Sequence, residues 1–243
     1  MNGRHRHPIQ YAILERLRTS PSGLRYSEMK PAWETENDLY NYHLQHLSKQ
    51  GLIDKFDDKY FLSESGKKYL IELNPLNESG DSHRFKLASL CLLKDGDGPD
   101  TKFLYQLRTR QPFAGARQMI GGGIMRGELA AEAAGRRLQQ EAGLLAKFRL
   151  FGLIRKLRID LEGEIYSDIL YHVCVSEEHS GELDLANDFG EHSWLSLEEA
   201  IAVESTGVTG SNSFARIIEQ LKSGPVSAVP LFYVEETYHH DIY

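Results

Sequence analysis

The sequence predicts an α+β protein with a small helical domain ahead of a larger mixed one, and three observations predict it. Apolar residues recur at helical spacing up to residue 50 and then give way to a short hairpin pattern. A polar, turn-rich stretch, Asn74–Ser82, follows. Beyond it, strand-like runs flank one strongly patterned helix. The boundaries read as 1–75 and 82–243. With 243 residues, 41 % hydrophobic and 26 % charged, the chain can build two hydrophobic cores and has the composition of a folded protein.

In the first part, Ile9, Ile13, Leu14 and Leu17 mark a helix that Ser20-Pro21-Ser22-Gly23 ends. A short helix fits Tyr26–Lys30, stopped by Pro31. Thr35 or Asn37 caps a third helix reaching Gln50, with Tyr40, Leu44 and Leu47 inward and Gly51 as its stop. IDKF and KYFL form a hairpin around Asp57-Asp58, and a helix follows from Ser65 to Leu73. In the second part, strands fit Phe85–Leu93, Lys102–Arg108, Phe148–Arg158 and Ile165–Val175, with helices at Leu197–Ala202 and Ser213–Lys222.

The net charge of −7 is uneven. Residues 1–75 hold 11 Lys and Arg against 10 Asp and Glu; the remainder holds 17 against 25. Neither half is a strongly basic nucleic-acid module, so DNA binding would need a local patch. Cys91 and Cys174 lie in apolar runs, where a buried thiol is expected rather than a disulfide. No run is long and apolar enough to span a bilayer, and no membrane partner is expected; the expected compartment is the cytoplasm.

The segment NYHLQHLSKQGLIDKFDDKYFLSESGKKYL, in its order of helices and hairpin, resembles a winged helix-turn-helix. The resemblance implies that duplex DNA is read by the third helix, through Tyr42, His43, Gln45, His46 and Lys49, with Lys55 and Lys59 of the wing on phosphates. A protein- or RNA-contacting surface is the alternative. A palindromic site would call for a homodimer.

Gly122, Glu128, Arg136, Leu138, Glu141, Gly143 and Leu144 stand at the spacing G-x5-E-x7-R-x-U-x-x-E-x-G-U, where U is bulky and apolar. With QPFAGARQMIGGG before it and EHSWLSLEEA after it, this frame resembles the Nudix box. The resemblance implies an α/β/α sandwich with a mixed sheet, giving an overall N-terminal winged helix-turn-helix followed by a Nudix domain. It also implies a nucleoside diphosphate derivative as ligand and Mg2+ or Mn2+ as cofactor. Independently of the family, Gly121, Gly122 and Gly123 allow a tight loop at the start of a helix, where backbone N–H groups favour phosphate. From Glu128 to Ala142 that helix turns Ala130, Ala134, Leu138 and Ala142 inward and places positions 137, 140 and 141 on another face.

In active members that face carries carboxylates, since Mg2+ needs hard oxygen ligands. Here Arg136-Arg137-Leu138-Gln139-Gln140-Glu141 keeps only Glu141. At roughly 6 Å and an effective dielectric of about 20, an arginine opposes a divalent ion by about 5 kcal/mol. The metal site is therefore weakened, with Glu141 and Glu128 as its remaining carboxylates. Arg136, which orients a box glutamate in the family, forms an ion pair with Glu128 in the structural alternative. Arg137 has two readings: it grips a ligand phosphate in a planar fork, or it pairs with Glu141 one turn on. Glu164 and Asp168 are candidate replacement ligands.

The combination predicts a nucleotide- or nucleotide-sugar-sensing DNA-binding regulator with a catalytically impaired Nudix domain. The alternative is an active metal-dependent hydrolase working through Glu141, Glu128 and Arg136, with the winged helix as an interaction module.

Overall fold

The computed structural model describes residues 6–31, 33, 36–72, 85–207, 209–221 and 226–239. Thr35 and the expected linker 74–82 lie outside them. Helix α1 (Pro8–Arg18) begins with Pro at its first position, where a missing N–H costs nothing. Strand β1 (Leu24–Arg25) leads into α2 (Tyr26–Met29), and α3 (Asn37–Lys49) follows. Glu36 is the N-cap of α3, so Asn37 is its first helical residue rather than the cap. Strands β2 (Ile53–Phe56) and β3 (Lys59–Leu62) make the expected hairpin, with Asp57 at φ 52°, and β1 adds to its β3 edge. Helix α4 (Glu64–Glu72) starts beside Ser63, whose Oγ accepts from the Gly66 N–H. Ile13, Leu14, Leu17, Met29, Tyr40, Leu44, Leu47 and Leu52 close one core, the faces that the helical spacing marks.

The larger sheet contains β4 (Lys86–Asp95), β5 (Lys102–Arg108), β6 (Arg117–Gln118), β7 (Gly121–Gly123), β8 (Arg149–Ile159), β9 (Ile165–Ser176), β10 (Ala186–Asn187), β11 (Gly190–Ser196) and β12 (Phe232–His239). Its main order is β10-β11-β5-β4-β9-β8-β12, with β6 on β5 and β7 on β4. It is mixed: β4 pairs β9 and β8 pairs β12 in parallel, whereas β8 pairs β9 antiparallel. Strand β12 is an addition to the sequence reading.

Alternation along β4 sorts the two faces. Cys91 and Leu93 pack under α5 (Ala130–Ala142) with Leu104, Cys174, Ala134, Leu138 and Ala142. Leu90 and Leu92 face the opposite way, toward α6 (Leu197–Thr206) and α7 (Asn212–Gln220) with Phe103, Tyr105, Phe214 and Ile218. Helices therefore cover both faces of a mixed sheet. Cys91 and Cys174 are register partners, buried and free, and burial raises both thiols, Cys174 to about 11.

Polar bonds help tie the first unit to the sheet, where α4 also meets β9. Lys68 of α4 bonds the buried Asp160 carboxylate beyond β8 at 2.7 Å. The Gln111 N–H donates to the Arg18 carbonyl at the end of α1, 2.8 Å away. Among the described residues no helix is long and apolar enough to cross a membrane.

Candidate functional site

Helix α5 forms because its sequence is rich in alanine and long straight side chains, and it ends at Gly143, whose φ of 74° suits a glycine. The helix starts at Ala130, two residues later than the pattern suggests, and Glu132 accepts from the Leu129 N–H at that end. Glu141 is buried, only 3 % exposed, on the edge of the inward face. Its two carboxylate oxygens meet different side chains, and Oε1 has an ion pair but no hydrogen-bond partner. Arg137, one turn earlier, forms an ion pair with Oε1, and Gln106 Nε2 donates to Oε2 at 2.9 Å.

Behind Gln106 stands His192, its Nε2 3.1 Å from the same amide nitrogen and its Nδ1 2.7 Å from the Asp184 carbonyl. An amide nitrogen only donates and a carbonyl only accepts. The tautomer that satisfies both carries its proton on Nδ1, so Gln106 donates both ways, to Glu141 on one side and to His192 on the other, and His192 donates on to the Asp184 carbonyl. Asn187 Nδ2 adds a bond to the Glu141 carbonyl.

The triple glycine is a strand, not the free loop expected: Gly121, Gly122 and Gly123 pair with Leu90, Ser89 and Ala88 of β4. Their smallness serves close approach. A Cβ on Gly122 would fall 2.5 Å from Arg137 Nε, and one on Gly121 would fall 2.5 Å from the Ser89 carbonyl oxygen. Arg137 therefore lies flat on the backbone of β7. It is partly exposed, with its Nε buried and unpartnered.

Arg136 takes the structural role. Its Nε and Nη2 grip Glu128 as a fork at 2.6 and 2.8 Å, and Nη2 also reaches the Gly123 carbonyl at 3.2 Å. Glu128 accepts from the Met125 N–H as well, so the pair latches the turn between β7 and α5. The bonds from Arg136 hold the Glu128 carboxyl below its ordinary value.

These donors do not fit a divalent cation. Both box carboxylates are already neutralised by arginine, and Gln140 is exposed, facing Arg136. Among the described residues no three His, Cys, Asp or Glu side chains converge. Asp168 is held by Arg155 at 2.8–3.0 Å, and Glu164 is exposed in the β8–β9 turn, so neither joins Glu141.

What gathers instead is positive charge. Arg108 on β5 lies within the fields of Glu141 and Arg137; burial lowers its guanidinium, Glu141 opposes that, and its Nε has no partner. Arg110 stacks on the Phe189 ring at 4.4 Å, and Arg137 stands 6.0 Å from the same ring. Gln106, His192, Arg108, Arg110 and Phe189 are not among the site residues that the sequence predicts. Period-2 alternation from Leu104 puts Gln106 and Arg108 on the α5 face, which is the one signal that points to them.

On the first unit, Tyr42, Gln45, Lys49 and Lys55 are exposed as expected for a contact surface. His43 is not. It is 7 % exposed and stacks on His7 at 4.0 Å, and burial lowers its pKa, so its role as a contact residue is corrected to packing. His46 is half-buried against Gln10, and Lys59 is half-buried with Nζ on the Ser22 carbonyl.

A family model described as the NUDIX domain matches residues 84–216. Comparison with curated proteins gives no match. Among solved structures, a mutator MutT protein from Bacillus halodurans is similar at 22 % identity and a TM-score of 0.48, over 64 % of this chain and 90 % of that one. The NUDIX domain of Shewanella oneidensis NrtR, solved with ADP-ribose, is similar at 15 % identity and a TM-score of 0.44, over 63 % and 94 %. A MutT protein from Methanosarcina mazei gives 19 % and 0.43, over 56 % and 92 %. These likenesses concern the fold alone.

Proposed function

The chain belongs to the NUDIX domain family, and from that premise we propose that it is a DNA-binding regulator whose impaired NUDIX domain senses a nucleotide or nucleotide-sugar. One observation carries this reading: the Arg137–Glu141 ion pair puts a guanidinium where the family's pattern asks for a metal-binding carboxylate. A guanidinium there opposes a divalent ion and suits a phosphate. Gly121, Gly122 and Gly123 bring the backbone beside it, and Arg136 and Glu128 serve as a latch rather than as catalytic groups.

In this reading residues 1–75 are a winged helix-turn-helix domain and residues 82–243 the sensor domain. Helix α3 presents Tyr42, Gln45 and Lys49, and the β2–β3 hairpin presents Lys55, to duplex DNA. A palindromic site would be read by a homodimer, and the protein works in the cytoplasm. The residual Mg2+ or Mn2+ affinity of Glu141 and Glu128 is too weak for efficient hydrolysis.

The test is an assay with ADP-ribose, dinucleotides and nucleoside triphosphates in Mg2+ and Mn2+, beside DNA binding to a genomic fragment pool. Turnover on the order of 1 s⁻¹ or faster, in the ordinary enzyme range, would overturn impairment. DNA affinity should fall with salt at a log–log slope of about −2.7 for a three-phosphate footprint. No binding at low salt by the folded protein would remove the regulator reading.

A further inference from the structure

We infer that the site beside Arg137 takes a pyrophosphate-type ligand directly on three guanidinium groups, Arg108, Arg110 and Arg137, with no divalent ion between protein and phosphate. The inference rests on the ligand-gripping reading of Arg137 given above and adds to it the partners and the metal independence.

Charge gives the first argument. Arg108, Arg110 and Arg137 surround Glu141 and Phe189, so positive charge predominates there, the sign that a bound divalent ion would contribute to a phosphate chain. Glu141 does not repel an incoming anion at close range, because it is buried and held by Arg137 and Gln106.

Preorganisation gives the second. Arg110 is fixed by a 2.6 Å bond from Nε to the Asp188 carbonyl and by the Phe189 ring, an arrangement that engages Nε and bonds neither terminal nitrogen to a described residue in Phe189's loop. Arg137 is fixed by Gly122, by Glu141 and by the same ring. Two guanidinium groups held about one aromatic ring suit two linked anionic groups better than one.

Unmet hydrogen bonding gives the third. Arg108 Nε and Arg137 Nε are both buried without a hydrogen-bond partner, as is Glu141 Oε1 in ion-pair contact with Arg137, so the cluster is not closed by its own hydrogen bonds. Phosphate oxygens meeting the guanidinium groups would complete its donor side.

The experiment is a calorimetric titration of the full chain with inorganic pyrophosphate, orthophosphate and ADP-ribose, each in EDTA and in excess Mg2+. Pyrophosphate or ADP-ribose should bind in EDTA, at least about tenfold tighter than orthophosphate, and Mg2+ should leave affinity unchanged or weaken it. Which of the two binds tighter separates a free-pyrophosphate site from a nucleotide diphosphate site. Arg110→Gln and Arg137→Gln, each confirmed folded by circular dichroism, should weaken binding by about tenfold or more. Binding that requires Mg2+, or that both folded variants retain within about threefold, would overturn the clamp while leaving a nucleotide sensor intact. No binding of any of the three in either condition would overturn the clamp and the sensor reading together.

Discussion

Two buried ionic clusters lie on opposite faces of one sheet, and they are built differently. On the α6 side, Lys156 Nζ donates to the Thr209 and Gly210 carbonyls, while Glu204 accepts from the Tyr105 hydroxyl at 2.9 Å and the Ser211 N–H at 3.0 Å. Each of those side-chain atoms has a partner, while the neighbouring Arg158 keeps one unpartnered buried Nε. On the α5 side, Arg137 and Arg108 keep unpartnered buried nitrogens around Glu141. A satisfied network fastens α6 and the following turn to the sheet. An unsatisfied one costs stability in the free protein, and a ligand that completes it recovers the cost.

The largest expected effect separates the two in stability. Glu204→Ala strands the Tyr105 hydroxyl, the Ser211 N–H and the Lys156 charge in the interior and should cost about 3–5 kcal/mol. Arg137→Gln, at a partly open position, should cost no more than about 1–2 kcal/mol. Urea unfolding of both variants checks this, and equal losses would make the Arg137 cluster a second structural fastener.

The next effect is a pH dependence confined to the α6 side. Burial lowers the Lys156 amine from 10.5 to about 8, with Glu204 opposing the shift. Between those values the unfolded chain holds a proton that the folded chain has released. Stability should therefore rise with pH from about 8 to 10.5, by about 3 kcal/mol in total, and Lys156→Met should lack this rise. Parallel pH profiles for the two proteins would mean that the amine stays charged.

A third effect restores the missing carboxylates. Arg137→Glu with Gln140→Glu should raise Mn2+ affinity by about two orders of magnitude, half of the electrostatic opposition computed for one arginine. No gain would place the metal-type site elsewhere on the α5 face.

Sequence patterns carried the elements whose partners are local. The spacing of Ala134, Leu138 and Ala142 fixed the buried stripe of α5, and the i, i+4 offset brought Arg137 to Glu141, with Arg137 partly exposed and Glu141 buried. Contacts between distant segments were not legible. His43 looks like an outward residue of α3 until His7, ahead of α1, stacks on it. Gly121–Gly123 look like a loop until β4 pairs with them. Strand β12 alternates in exposure but lies on a sheet edge with β8 as its partner some 80 residues upstream, a pairing that no local pattern announces. Gln106 and His192 are hidden for the same reason: alternation assigns a face, not what stands across it.

The smallest expected effect asks whether the α5-side cluster communicates with the first unit. The segment 109–116 touches both. Arg110 lies against Phe189 beside the candidate clamp, and the next residue, Gln111, bonds the last carbonyl of α1. Ligand-dependent strain in the backbone of this segment would reach the end of α1 through the Gln111 bond, and the Lys68–Asp160 pair is a second link between the two regions. Coupling requires the ligand to distinguish two arrangements, and the ordinary range for such an effect is about 1–3 kcal/mol, or roughly 5- to 150-fold in affinity. Reciprocity makes either side measurable. ADP-ribose affinity should differ with and without saturating specific DNA in the parent chain, and the difference should shrink in Arg110→Gln and in Arg137→Ala. Equal affinities in both states would leave the two regions bonded to each other but energetically independent, and a difference that survives both substitutions would move the relay from segment 109–116 to the Lys68–Asp160 contact.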